Sequence, residues 1–210
     1  MEKQKYAAIV LAAGSGKRMN SKVHKQYLII QDRPVLYYSL KAFEDSAVDE
    51  IILVVGKGEE EFCRKEIVDK YGISKVKAIV EGGKERYHSV FEGLKQTSDA
   101  DYVLIHDGAR PFVNQDIIRR CMQEVQKYQA CVVGMPVKDT IKIADEEGYA
   151  KQTPDRKTVW MIQTPQTFSY ALIYEAYEEM LKTEDAAITD DAMVLERIKG
   201  KKSKLIEGSY

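Results

Sequence analysis

Cysteine is scarce in this chain and unpatterned: Cys63, Cys121 and Cys131 are an odd number, widely spaced, with no C-x-x-C pair. That excludes a disulfide framework and a zinc knuckle and fits a reducing cytoplasm. Neither sign of charge dominates, since 32 Lys and Arg face 33 Asp and Glu for a formal net charge of −1. There is thus no bulk attraction for nucleic acid or an anionic membrane, and any anion site must be a local cluster of cations. No stretch approaches the ~20 apolar residues of a membrane span. The apolar run near the N-terminus ends in Gly14-Ser15-Gly16-Lys17-Arg18, a poor continuation for a secretory signal. His24 and His88 form no His-x-x-x-His or paired-carboxylate arrangement, so no zinc site is expected. A length of 210 residues suits one α/β domain over 1–210, in the cytoplasm.

Continuous apolar runs at Tyr6 to Ala13, Glu50 to Val55, Val76 to Val80, Tyr102 to His106 and Ala130 to Val137 read as strands buried on both faces. Helical patterns lie between them, at Pro34 to Phe43, Glu59 to Lys70, Arg86 to Gln96 and Gln115 to Lys127. The alternation predicts a three-layer α/β/α fold with a mostly parallel, Rossmann-like sheet. Ligands of such sheets bind beyond the carboxyl ends of the strands, so the residues after each strand carry the functional information. After Val137 the rhythm changes to a hairpin pattern, a projecting β-arm at about residues 139–159 with a Gly148 turn. A lone hairpin is marginal in water, and a second subunit is the economical partner for it. Trp160 to Phe168 returns to the sheet, Tyr170 to Thr183 and Asp190 to Ile198 read as helices, and Ser203 to Ile206 as a last strand.

The loop after the first strand, Ala12-Ala13-Gly14-Ser15-Gly16-Lys17-Arg18-Met19, lets backbone N–H groups approach phosphate oxygens closely. It is not a P-loop, which would need glycine at Leu11 and Ser or Thr at Arg18. It is not a dinucleotide fingerprint either, since the third glycine position holds Met19. What remains is a glycine-rich turn with Lys17, Arg18 and, farther on, Lys25, cations of the kind phosphoryl transfer needs around the moving group.

Later strand ends carry their own signals. Gly82-Gly83 with Ser89 suits close approach to a nucleobase or ribose, or a glycine turn opening a helix. Asp107 could coordinate Mg²⁺, accept a substrate hydroxyl, or pair with Arg110 to order its turn. His106, within the strand, reads as a core histidine. Asp139-Thr140, Asp155-Arg156, Thr164-Pro165-Gln166 and Thr189-Asp190-Asp191 each fit turn or N-cap chemistry, capping being favoured for the last.

In order, the segments AAGSGKRM with Lys25-Gln26-Tyr27, EGGKERYHSV, HDGARPF, PVKDTIK, Asp155-Arg156, QTPQ and ITDD resemble those of the 2-C-methyl-D-erythritol 4-phosphate cytidylyltransferases of the non-mevalonate isoprenoid pathway, over nearly the whole chain from about Tyr6. The resemblance implies transfer of CMP from CTP to 2-C-methyl-D-erythritol 4-phosphate with release of pyrophosphate, assisted by Mg²⁺ bound mainly through the CTP phosphates. It assigns Arg18 and Lys25 to transition-state charge, the backbone of Ala12, Ala13 and Gly14 to the nucleotide, Gly82, Gly83 and Ser89 to the base, and Asp107 and Gly108 to the ribose and substrate. It makes Arg156, on an arm crossing from the partner of a homodimer, the residue that positions the attacking phosphate. Thr140, Arg110, Thr164 and Thr189 complete the acceptor pocket. No nucleic acid or membrane partner is implied. The family continues past the Gly208-Ser209-Tyr210 position into a segment with a substrate-phosphate lysine, which this sequence does not include. Two rivals stand beside this reading. The ribitol 5-phosphate cytidylyltransferases usually open Gly-Gly-Thr-Gly and have Ser-Val where this chain has Gly108-Ala109. A non-catalytic nucleotide-binding protein would fit the short C-terminus.

Overall fold

The computed structural model describes residues 3–14, 24–97, 99–183 and 188–209. Strand β1 (Tyr6–Ala12) leads, past the 3-10 turn Lys25–Tyr27, to a two-stranded ribbon of β2 (Ile29–Ile30) and β3 (Arg33–Pro34), then α1 (Val35–Glu44). Strand β4 (Glu50–Val55) precedes α2 (Glu60–Cys63), which widens into a π-turn over Arg64–Asp69. Then follow β5 (Val76–Glu81), α3 (Arg86–Gln96), β6 (Tyr102–Asp107), α4 (Gln115–Tyr128) and β7 (Ala130–Pro136). The arm carries β8 (Ile143–Ala144) and β9 (Ala150–Gln152), and the chain returns through β10 (Trp160–Ser169), α5 (Tyr170–Thr183), α6 (Asp191–Lys199) and β11 (Lys204–Glu207).

Among the described residues the main sheet has seven strands in the order β11-β7-β10-β6-β1-β4-β5. Its central strand, β1, is parallel to both β4 and β6. Alternate residues of β1 enter opposite cores: Ala8, Val10 and Ala12 meet Leu36, Leu40 and Phe43 of α1 and Ile118 and Cys121 of α4, whereas Ile9 meets Val90 and Leu94 of α3 and Tyr177 of α5. Helices on both faces make the three layers, and burial on both faces explains the unbroken apolar reading of the strand. The expected α/β architecture is therefore present.

Two features depart from the simple alternation. Strand β10 runs antiparallel to both neighbours, β6 and β7. The connection from β7 to β10 is the arm rather than a crossover helix, so the chain comes back alongside β7 in the opposite direction. The β2–β3 ribbon turns at Gln31 and Asp32, both with positive φ (49° and 64°), the geometry of a two-residue hairpin turn.

His106 ends up fully buried in β6 with its ring edge-on to Phe43. Its Nε2 lies 3.1 Å from the Arg110 carbonyl and its Nδ1 2.9 Å from Thr164 Oγ1, which in turn accepts Asp107 N–H at 3.2 Å. These partners fit the neutral ring: Nε2–H donates, Nδ1 accepts the threonine proton. Burial, the largest influence, brings the imidazole pKa down to about 4 against the pull of Asp107. The residue is a satisfied core histidine, as its position within the strand suggested.

Two outcomes are expected. As pH falls below the ordinary histidine value of about 6.5, the unfolded chain takes up a proton that the folded one refuses until about 4. Stability should therefore decline across that window by a contribution on the order of 3 kcal/mol. His106→Gln should be less stable at pH 7 yet flatten this limb, read from urea midpoints at successive pH values. Gly93 of α3 faces the sheet, where a Cβ would lie 2.6 Å from Ile9 Cγ2 and 3.1 Å from Val54 Cγ2. Gly93→Ala should thus destabilise by about 1–3 kcal/mol in urea unfolding, although alanine is the better helix former.

Candidate functional site

The carboxyl ends of β1, β4, β5 and β6 meet through glycine. Gly108 N–H donates to the Leu11 carbonyl at 2.8 Å, and a Cβ at Gly108 would fall 2.8 Å from Leu36 Cδ1 and 3.0 Å from that carbonyl. Gly82 N–H donates to the Val55 carbonyl at 2.8 Å, and a Cβ there would lie 2.5 Å from Ala13 Cβ and 2.7 Å from Ser89 Oγ. Hydrogen at these positions is what lets the exit of β1 sit against the turns after β5 and β6. The Ser89 hydroxyl accepts Gly83 N–H at 3.1 Å and donates to the Glu85 carbonyl at 3.2 Å. Glu85 and His88 form a reciprocal capping box at the start of α3, so the helix-opening chemistry expected as one reading is realised. Ala13, Gly82, Gly83 and Ser89 therefore stand together, with Ala12 and Gly14 flanking Ala13 along the chain.

The electrostatic centre lies beside them. Asp107 accepts Arg86 Nε at 3.3 Å on one oxygen and Arg110 Nε at 3.1 Å on the other. The Arg86 fork then grips Asp191 with two bonds of 2.9 Å, and Asp191, fully buried, also accepts the Tyr177 hydroxyl at 2.6 Å. Burial alone would raise the Asp107 carboxyl, but Arg86, His106 and Arg110 together hold it below its ordinary range. Burial opposes the Arg86 charge too, and Asp191 followed by Asp107 overcomes it, leaving the guanidinium pKa raised. The pairing of Asp107 with Arg110, one of the readings open from the sequence, is thus present. The pairing of Arg86 with Asp191 had no local signal, because the two stand 105 residues apart.

Lys25 begins its 3-10 turn at the mouth of a cavity of about 680 Å³. Arg110, Thr164, Gln163 and Ser209 line the same cavity, with an apolar wall of Leu28, Ile29, Val35, Phe112 and Ile117. Beneath Lys25, the buried Gln26 donates from Nε2 to the Ala12 carbonyl at 2.5 Å, tying the turn to the end of β1. Burial, then its contacts with Cys63 and Glu59, pushes the Tyr27 phenol pKa up, and burial pushes the Cys63 thiol to about 11. Both groups are therefore neutral donors near pH 7.

The remaining expected residues lie elsewhere. Arg156 and Thr140 are exposed on the arm, with Arg156 Nη1 donating to the Lys138 carbonyl at 3.3 Å, so within one chain neither joins the cavity's lining. Thr189 is exposed just before α6, and Asp190 caps that helix by accepting Met193 N–H at 2.9 Å, as read from the sequence. Arg18 lies outside the described residues. No group of three His, Cys, Asp or Glu side chains suited to a metal gathers among the described residues. Asp107, at the end of β6, already receives two guanidinium N–H bonds. Mg²⁺ is usually held by one or two carboxylates together with substrate phosphates, and this donor set fits an ion carried in that way.

Comparison with known proteins gives a consistent picture. The sequence profile described as 2-C-methyl-D-erythritol 4-phosphate cytidylyltransferase matches residues 6–210. The chain is 54% identical over 205 residues to a protein of that name from Lachnospira eligens, covering 97% of this chain and 90% of the relative. It is 50% identical over 207 residues to one from Lachnoclostridium phytofermentans, covering 99% and 89%. Among solved structures, the 4-diphosphocytidyl-2C-methyl-D-erythritol synthase of Anaerococcus prevotii superposes with a TM-score of 0.87 at 35% identity, covering 99% of this chain and 88% of that one. With a profile match spanning nearly its whole length and relatives near half identity, this chain belongs to the 2-C-methyl-D-erythritol 4-phosphate cytidylyltransferase family.

Proposed function

We propose that this chain transfers CMP from CTP to 2-C-methyl-D-erythritol 4-phosphate in isoprenoid precursor synthesis. A phosphate oxygen of the acceptor attacks the α-phosphorus of CTP; that P–O bond forms as the bond from the α-phosphorus to the bridging oxygen breaks, and pyrophosphate leaves with the electron pair. The single observation that carries the reading is the junction at the sheet's carboxyl edge. There the small residues Ala13, Gly82 and Ser89 meet, and a cavity is lined by Lys25, Arg110 and Thr164.

In this reading the backbone of Ala12, Ala13 and Gly14 holds the nucleotide, Gly82, Gly83 and Ser89 flank the base, and Asp107 with Gly108 faces the ribose. Lys25 with Arg18 meets the charge that grows on the phosphates. Mg²⁺ held by the CTP phosphates would neutralise part of their charge. Arg110 and Thr164 hold the acceptor, with Thr189 near its edge. Thr140 and Arg156 join them from the arm of a second copy, a homodimer supported by the exposure of Ile143, Tyr149, Met161 and Ile162 along and beside the arm. Three free, buried cysteines support a cytoplasmic location. Among the described residues no helix is long and apolar enough to cross a membrane.

Pyrophosphate release from CTP and Mg²⁺ should depend on 2-C-methyl-D-erythritol 4-phosphate. Release with ribitol 5-phosphate instead would transfer the chain to that rival activity, and release with neither would leave a nucleotide-binding protein. Lys25→Ala should lower kcat by about 10³- to 10⁵-fold, the range for lost transition-state cations; a loss under about tenfold would remove Lys25 from catalysis. Arg156→Ala should raise KM for the acceptor while CTP affinity, measured by calorimetry, stays near wild type. Equal damage to both would contradict its assignment to the attacking phosphate.

A further inference from the structure

The turn that carries Lys25 is held from one side by a carboxylate that the transfer itself does not require. Glu59 stands after β4, its side chain only 22% exposed. One of its oxygens accepts the Tyr27 hydroxyl at 2.8 Å and Gly56 N–H at 3.1 Å; the other lies 3.0 Å from His24 Nδ1. His24 and Tyr27 bracket Lys25, so the carboxylate closes a loop around that residue from both sides. Phe62 meets the Tyr27 ring edge-on at 5.3 Å, and Cys63 Sγ lies 3.1 Å from the Tyr27 hydroxyl. The fit depends on Gly56: a Cβ there would come within 2.6 Å of the Glu59 oxygen. Gln26 anchors the opposite side of the turn to the Ala12 carbonyl. Lys25 itself remains exposed, directed to the cavity it lines.

We propose that Glu59 is a positioning residue for the transfer reaction, fixing the backbone of His24 to Tyr27 so that Lys25 is already in place when the triphosphate arrives. The proposal rests on the catalytic reading of Lys25. A cation that stabilises developing charge gains its advantage from being pre-placed, and small displacements of such a group cost rate rather than ground-state binding. Exposed ammonium groups on long stems are otherwise free to wander. Glu59 belongs to the strand–helix junction at β4 and links its rigidity to the turn.

A mutant cycle between Glu59 and Lys25 tests this, with single-turnover rates and KM for CTP as readouts. Glu59→Ala should lower kcat by about 10- to 100-fold with KM for CTP changed by less than about threefold. Glu59→Gln, which keeps an acceptor for Tyr27 and Gly56, should recover most of that loss. In a Lys25→Ala background the further effect of Glu59→Ala should fall to about twofold or less, because residues acting through one another are not additive. A purely structural role would give the same loss in both backgrounds, and that result would overturn the proposal. An unchanged kcat in Glu59→Ala would overturn it equally. If Glu59→Ala does not fold, Glu59→Gln and Tyr27→Phe complete the cycle, with smaller losses that must again vanish beside Lys25→Ala. Should Lys25→Ala leave kcat intact, the catalytic reading of Lys25 fails instead, a result separable from an additive cycle.

Discussion

The bidentate pair between Arg86 and the fully buried Asp191 is the constraint around which the site is arranged. Removing the Asp191 charge from water is costly, and such a pair persists where the geometry is good and the remaining lone pairs and protons find partners. Here they do. Tyr177 supplies a third bond to Asp191, and the Nε of Arg86 turns to Asp107. One guanidinium thereby joins the start of α3, the start of α6 and the end of β6. Asp107 cannot be moved without disturbing those helices, and its ionised state is secured by cations on both oxygens.

Around that centre the backbone does most of the shaping. Gly82 and Gly108 are positions where a methyl group would strike Ala13 or Leu36, so the strand ends stand close together. The central sheet supplies the rigidity: β1 is bonded on both edges and packed on both faces.

In the proposed reading the site has a nucleotide side and an acceptor side, and the two differ in how they are held. On the nucleotide side, Lys25 sits on a turn tied to β1 through Gln26 and to the β4 exit through Glu59. On the acceptor side, Thr140 and Arg156 stand on an exposed arm whose two short strands bond mainly to each other. Lys142 Nζ reaches Thr153 Oγ1 at 2.7 Å across the arm, and Asp145 orders its tip by accepting two backbone N–H groups.

Much of the fold was legible because its signals are local. The run at Glu50–Val55 and the helix at Tyr170–Thr183 match the bounds read from hydrophobic pattern, since burial on one or both faces writes its period directly into the residues. The N-cap role of Asp190 was legible for the same reason. The β2–β3 ribbon was not, because two-residue strands are shorter than any period. Nor was the reversed direction of β10, which depends on how the arm returns. Glu59 and Arg86 each read as the start of a helical pattern, Arg86 also within a family segment, and neither showed its partner. Element types, the small-residue loop and the family are properties of neighbouring residues and their order, so they stand in the sequence. Which carboxylate meets which cation is a matter of contacts within a few ångströms in space. Folding brought Asp191 to Arg86 and Glu59 to the turn of Lys25, and no spacing along the chain encodes that.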